Sequence, residues 1–309
     1  MTSFKVSIVI PAFNEEGNVK IIADNLVQVL KGYHDYEILF INDGSADRTL
    51  SVLKELSASN NHIRYLSFSR NFGHQLALKA GIDHASGDCV ISMDADLQHP
   101  VELIPQLIAK WQEGFEIVYT IRADGPKTSL FKRVTSNLFY RLMNAISDIQ
   151  IVQGTADFRL LDRVVVDVLK NMQEPDLFFR GIIPWIGFSQ YGLLYAPNER
   201  FWGKSKYSLT KMFRFAFHGI TSFSTKPLHL ATLMGLFISF LSFAYGLVAL
   251  TGKIFKDQAV SGWTSMIVSV LFIGGIQLVM LGIIGEYLGK LFIESKRRPN
   301  YIIREKSGK

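Results

Sequence analysis

Two stretches limit this chain more than any others: LHLATLMGLFISFLSFAYGLVAL, Leu228 to Leu250, and SMIVSVLFIGGIQLVMLGII, Ser265 to Ile284. The first holds only His229 as a possible charge, and the second holds none. A bilayer core takes about 20 consecutive apolar residues of helix, and both runs reach that length. Buried helices of soluble proteins seldom run so far without a charge. The linker Thr251 to Thr264 is short, so the two runs are expected to form a hairpin with both chain ends on one side. Arg200, Lys204, Lys206, Lys211, Arg214 and Lys226 precede it; Lys290, Lys296, Arg297, Arg298, Arg304, Lys306 and Lys309 follow it. The linker offers only Lys253 and Lys256. Loops rich in Lys and Arg stay on the cytoplasmic side. The expectation is a multi-pass protein of the inner or plasma membrane, with its large N-terminal part and its tail in the cytoplasm. Gly274, Gly275, Gly282 and Gly285 in the second run would let helices approach closely.

Up to about residue 224 the chain reads as a soluble domain, with apolar residues interrupted by charges. KVSIVIPAF, YEILFINDGS, IRYLSFSR, DCVISMDAD and FEIVYTIR are strand-like runs. Helical patterns near Gly17–Gly32, Ala46–Ser59, His74–His84 and Pro100–Glu113 separate them, which implies parallel βαβ units of an α/β fold. In such sheets ligands bind beyond the C-terminal strand ends. All five ends here are polar: PAFNEE, NDGS, SRNFG, DADLQ and IRADG. Two basic amphipathic segments, about 129–147 and 207–224, carry Phe, Leu and Met beside Lys and Arg. They either cover the sheet or lie in the membrane interface, and the neighbouring hairpin favours the interface. The single cysteine, Cys89, excludes an internal disulfide and points to a reducing compartment. The N-terminal apolar run is short and followed at once by acids, unlike a signal peptide. A net charge of +6 suits nucleic acid, an anionic membrane or phosphorylated substrates equally.

MDADLQHP, Met93 to Pro100, puts two acids one residue apart at a strand end. A calcium loop of the EF-hand type needs Glu at its twelfth position; counted from Asp94, that position is Pro105. No glycine-rich run ends in Gly-Lys-Ser/Thr, so there is no P-loop. A strand-end pair of acids does suit Mg²⁺ or Mn²⁺, which take one or two carboxylates and complete their shell with water and phosphate. Asp43 is then free to bind a base or a ribose, with a turn-forming role in NDGS as the alternative. Acids that hold a nucleotide diphosphate on an α/β sheet point to nucleotide-sugar chemistry.

PAFNEE, NDGS, SRNFG and DADLQHP resemble family 2 glycosyltransferases of GT-A fold, specifically those acting on polyprenyl phosphates. That group includes dolichol-phosphate mannose synthases and the GtrB-type bactoprenol glucosyltransferases. The similarity continues through GTADFRLLDR, FFRGIIPWIGF, GKSKYS, GITSFSTKPL and GEYLGKLFIESKRRPNYII, and the two-span tail favours the GtrB-like branch. The resemblance implies a Rossmann-like GT-A domain over 1–225, a transmembrane hairpin over 226–288 with spans at about 228–250 and 265–285, and a basic tail over 289–309. It assigns donor binding to Pro11, Ala12, Asn14, Glu15, Asp43 and Gln98, and to Arg200, Lys204 and Lys206. Asp94, Asp96 and Gln98 would hold the metal, Mg²⁺ or Mn²⁺. For Asn14 and Glu15 the plainer alternative is a helix N-cap with an acid in the first turn. Arg122, Lys132, Arg133, Ser136 and Arg159 are candidates for the acceptor phosphate. His99 and Pro100 are read as the start of the next helix.

Asp157 takes the position of the candidate catalytic base, with Ala156 where the family pattern has Gly. A phosphate monoester has its second pKa near ~6 and is already largely dianionic at neutral pH, so it gains little from a base. Asp157 is therefore expected to orient the acceptor phosphate or Arg159. The implied reaction is a single inverting displacement that moves a hexose, with glucose from UDP-glucose foremost, onto polyprenyl (undecaprenyl) phosphate. GDP-mannose or a UDP-N-acetylhexosamine are alternative donors, and a non-catalytic membrane scaffold is the alternative from another class. The expected partners are the nucleotide sugar, the lipid phosphate and the bilayer, without nucleic acid. Relatives of this kind suggest a homotetramer, and RRPNYIIRE is a β-prone run that could add to another subunit's sheet.

Overall fold

The computed structural model describes residues 4–123, 154–174, 177–196, 225–256 and 262–308. Among these, residues up to 196 and from Arg298 onward form one compact unit, and 225–297 form a second.

The first unit is built on β1 (Lys5–Ala12), α1 (Val19–Leu30), β2 (Asp35–Asn42), α2 (Thr49–Ser59), β3 (Ile63–Phe68), α3 (His74–His84), β4 (Cys89–Ser92), α4 (Ile104–Gln112) and β5 (Ile117–Arg122). After these come β6 (Thr155–Asp162), α5 (Arg163–Asn171), α6 (Phe179–Trp185), β7 (Gln190–Tyr195) and, at the far end of the chain, β8 (Ile303–Lys306). Every residue of β1 after Lys5 and of β2 after Asp35 is buried. Both faces of these strands are covered, which explains why VSIVIPA and YEILFIN run apolar without strict alternation. The four expected helices are present, and the last starts later than expected, as a 3₁₀ turn over Val101–Leu103 leading into α4.

The eight strands run in the order β7-β5-β6-β4-β1-β2-β3-β8. β1 is parallel to β2 on one side and to β4 on the other, and β2 is parallel to β3. The chain thus steps away from β1 through β2 and β3, then returns to its opposite side at β4. A crevice opens at the strand ends where the winding reverses, between the loops that follow β1 and β4. The five strands expected from the sequence all run parallel, but β5 does not pair with β4. Thr155–Asp162 lies between them, antiparallel to both. TADFRLLD alternates polar and apolar residues as far as Leu160, yet Asp157 and Arg159 on its polar face are buried as well.

The tail strand also departs from expectation. Ile303–Lys306 pairs antiparallel with β3 of its own sheet rather than adding to another subunit. Tyr301 stacks on Phe68 at 5.2 Å, and its hydroxyl donates to Asp83 at 2.9 Å. The Ser307 hydroxyl accepts the Tyr65 amide at 3.1 Å.

The second unit contains α7 (Lys226–Lys256) and α8 (Trp263–Ser295). Large apolar side chains such as Phe237, Phe240, Leu278 and Leu281 are exposed, unlike those of a buried core helix. Among the described residues, Val268–Ser295 is long and apolar enough to cross a membrane, whereas Ala231–Tyr245 is a shorter apolar segment. The helices approach at Gly235, where a Cβ would lie 3.7 Å from Met280 Cε. The expected contact glycines Gly274, Gly275, Gly282 and Gly285 face no described atom within 4 Å.

Candidate active site

The crevice is a cleft of about 530 Å³. Pro11, Ala12, Glu15, Asp43, Asp94, Asp96 and Asp157 line it, as do Phe13, Asn71, His74 and Arg180. Two expected donor residues do not line it. Asn14, at a left-handed φ of 57°, turns its side chain to the neighbouring loop. There its Oδ1 accepts the Ala46 amide at 2.9 Å, and its own amide donates to Ser45 Oγ at 3.0 Å. Gln98 donates its backbone amide to Asp96 Oδ1 at 3.1 Å. The N-cap alternative for Asn14 fails as well, since α1 begins at Val19 with Asn18 before it.

The PAFNEE and NDGS segments are laced into one platform. The Glu15 amide donates to Thr49 Oγ1 at 2.9 Å, and Glu16 Oε2 accepts the Arg48 amide at 2.9 Å. Asp43 was expected to be free for a base or ribose. It lines the cleft, and its carboxylate also receives the Phe72 amide at 2.7 Å and the Gly73 amide at 2.9 Å, tying SRNFG to the end of β2. Burial raises its pKa, against the pull of these donors, His74 and Arg70. Gly44 makes the approach possible: its φ is 64°, and a Cβ there would come within 2.6 Å of the Asn71 amide nitrogen. Only glycine adopts that conformation without strain.

The acid loop after β4 has a brace that the sequence reading overlooked. His99 is 6% exposed and does more than open a helix. Its Nδ1 accepts the Asp94 amide at 3.1 Å, and its ring stacks on Phe158 at 5.1 Å. With Nδ1 accepting, the ring proton sits on Nε2, 3.7 Å from Asp94 Oδ2. Leu97, at φ 62°, turns the loop back so that this contact can form.

Asp157 comes to the same edge because β6 is antiparallel. Ser92 of β4 pairs with Arg159, and continuing that register by two residues brings Asp157 level with Asp94. Its carboxylate receives Arg159 Nη2 at 3.0 Å, and Arg180 Nε and Nη2 both at 3.2 Å. His74 Nε2 lies 3.6 Å from Asp157 Oδ2 and 3.5 Å from Asp94 Oδ1, so one imidazole spans the two acids. Burial alone would raise the Asp157 pKa, but His74, Arg180 and Arg159 reverse the effect and hold it well below the usual carboxylate range. Burial disfavours protonation of His74, yet Asp157 and Asp94 outweigh it and its pKa rises.

Arg159, expected to meet the acceptor phosphate, is 1% exposed and lies beneath the cleft. Besides Asp157 it donates to the Ala156 carbonyl at 2.9 Å and the Phe179 carbonyl at 3.4 Å. Arg122 ends β5 at the same sheet edge but does not line the cleft, and its amide donates to the Gly154 carbonyl at 2.9 Å. Lys132, Arg133, Ser136, Arg200, Lys204 and Lys206 lie outside the described residues, as do the two expected interfacial segments. The sequence pattern assigns no role to His74 or Arg180, and to His99 only the start of a helix. Arg180 did carry a signal: it is the lone charge in LFFRGIIPWIGF.

A doubly wound sheet with an acid-lined cleft at its switch point, backed by the buried Arg159 and edged by Arg180, defines an α/β enzyme for an anionic, nucleotide-like ligand. Residues 7–169 match the model of Glycosyl transferase family 2, and residues 226–291 match that of the GtrB C-terminal hairpin. The bactoprenol glucosyl transferase of Shigella phage SfV is 45% identical over 99% of this chain and 100% of its own length. The uncharacterized glycosyltransferase YkcC of Bacillus subtilis is 44% identical over 98% of this chain and 94% of its own. A crystal structure of glucosyl-3-phosphoglycerate synthase from Mycobacterium tuberculosis, in complex with Mn²⁺, UDP and glucosyl-3-phosphoglycerate, superposes with a TM-score of 0.43 at 21% identity, covering 71% of this chain and 78% of that one. The chain belongs to glycosyl transferase family 2 and is a glycosyltransferase.

Proposed function

We propose that this enzyme transfers glucose from UDP-glucose to a polyprenyl (bactoprenol) phosphate with inversion at the anomeric carbon. The observation that carries the reading is the end-to-end similarity to bactoprenol glucosyl transferases, which includes both the acid-lined sheet edge and the hairpin. The donor lies across the ends of β1 and β4, with Glu15 and Asp43 on the nucleoside side and Asp94 and Asp96 toward the diphosphate. No described group of three or more His, Cys, Asp or Glu side chains is placed to hold an ion unaided. That donor set fits a hard cation which takes one or two carboxylates and completes its shell with phosphate oxygens. Asp96, with Asp94, would hold Mg²⁺ or Mn²⁺, and the bound ion would neutralise charge on the departing diphosphate. His99 fixes the Asp94 backbone, and His74 keeps the Asp94 carboxylate in register with Asp157. The phosphate acceptor attacks already ionised, so Asp157 acts by holding cations rather than by removing a proton.

The two-span arrangement suits a substrate that never leaves the bilayer. The basic flanks support a topology with the catalytic domain over 1–225, both ends in the cytoplasm and the hairpin over 226–288 in the inner or plasma membrane. The test is a donor panel of UDP-glucose, UDP-N-acetylglucosamine, UDP-galactose and GDP-mannose against undecaprenyl phosphate, with Mg²⁺, Mn²⁺ or EDTA. Formation of a glucosyl lipid from UDP-glucose alone, abolished by EDTA, is the expected result. Preference for another donor, or no turnover with any, would overturn it.

A further inference from the structure

The cleft brings one cation to the acids that the sequence reading left without a role. Arg180 and Arg159 both pair with Asp157, but they differ in access. The Arg159 side chain is 2% exposed and the Arg180 side chain 35%, and Arg180 lines the cleft where Arg159 does not. Two guanidinium groups thus meet one carboxylate, and of the two it is Arg180 that faces the cleft. The two contacts from Nε and Nη2 fix the plane of its guanidinium. Such preorganisation distinguishes Arg from Lys at sites that recognise phosphate oxygens. We propose that Arg180 binds a phosphate oxygen of a reacting substrate and that Asp157 is the positioning residue that aims it. The assignment rests on the polyprenyl phosphate reading above and adds a cation outside the candidates Arg122, Lys132 and Arg133. The oxygen belongs either to the lipid phosphate or to the donor diphosphate.

The full chain in detergent micelles, as wild type, Arg180→Ala, Arg180→Lys and Asp157→Asn, separates these sources. KM is measured for undecaprenyl phosphate and for UDP-glucose in turn, and calorimetry follows binding of undecaprenyl phosphate and of UDP without turnover. A charge-assisted contact is worth about 1.5–3 kcal/mol, or roughly tenfold to a hundredfold in affinity. Arg180→Ala is expected to weaken acceptor KM and acceptor binding by that factor, with UDP binding within about twofold. Arg180→Lys should recover part of the loss, and Asp157→Asn should weaken the same arm although it leaves the arginine in place. If the loss falls on UDP and UDP-glucose, the proposal stands with the diphosphate as the source. If neither arm moves and the variants only melt earlier, Arg180 is structural and the proposal is overturned. Should the wild type fail to use UDP-glucose, the function assigned above falls, while calorimetry with undecaprenyl phosphate still reads Arg180.

Discussion

Replacing Asp157 by Asn separates two roles that a carboxylate in this position could have. The side chain is 8% exposed and faces Arg159, 2% exposed, at 3.0 Å. Removing one partner of a buried ion pair costs about 3–5 kcal/mol, since the other charge is left uncompensated. Asn keeps one oxygen to accept from Arg159, and the cleft can hydrate Arg180, so the lower end, about 3 kcal/mol, is expected. For a domain of this size each kcal/mol lowers Tm by roughly 2–4 °C, giving a fall of about 6–12 °C in the full chain in detergent. The rate profile carries the mechanistic content. His74, Arg180 and Arg159 hold the Asp157 pKa far below the ordinary range, which makes it a poor proton acceptor near neutral pH. The loss of kcat in Asp157→Asn should therefore be constant from about pH 5 to about pH 8, on either side of the acceptor's second ionisation near ~6. A loss that disappears as pH rises through that ionisation would show Asp157 taking the proton from the monoanion, and the positioning argument would be wrong.

Three further outcomes follow from the geometry. Glu37 is buried, and its carboxylate receives Ser7 Oγ, the Ser86 amide and hydroxyl, and Arg64; burial would raise its pKa, but these donors lower it below that of an ordinary glutamate. A depressed folded-state pKa stabilises the protein above the unfolded value and is lost as pH falls, so Glu37→Gln should cost about 1.5–3 kcal/mol near neutrality, with the gap to wild type in urea denaturation closing in acid. Gly81 packs α3 against β1 so closely that a Cβ would overlap Val9 Cγ1. Gly81→Ala should cost about 1–3 kcal/mol and lower kcat by displacing His74, which begins the same helix; unchanged Tm and kcat would refute this. His99→Phe keeps a ring on Phe158 but leaves the Asp94 amide without its acceptor. It should weaken activation by Mn²⁺ more than it changes UDP binding in metal-free buffer, and equal effects on both would remove the bracing role.

The amino-acid sequence by itself determined the periodic part of the molecule. VSIVIPA and YEILFIN are apolar on both faces, which commits them to a covered sheet, and the helical segments between them commit that sheet to parallel pairing. The same local rules marked the polar strand ends and two apolar runs, the second of which overlaps Val268–Ser295, a helical segment long and apolar enough to cross a membrane. TADFRLLD does alternate polar and apolar residues as far as Leu160, but the burial of Asp157 and Arg159 on its polar face was not legible, because the partners that allow it include Arg180 and His74 from elsewhere in the chain. The inward turn of RRPNYIIRE was equally hidden: whether a β-prone tail meets its own β3 or another copy depends on an open edge far away in the chain. The acids at 94 and 96 could be read as a pair, but the third acid, the imidazole of His74 between them and the arginine that faces the cleft are separated by tens of residues. Only the antiparallel insertion of β6 beside β4 sets Asp157 level with Asp94. Packing of α6 then delivers Arg180 to that carboxylate. Hydrophobic period is a property of neighbours along the chain, whereas charge pairing in a cleft is a property of neighbours in space, and the site of this glycosyltransferase is made of the second kind.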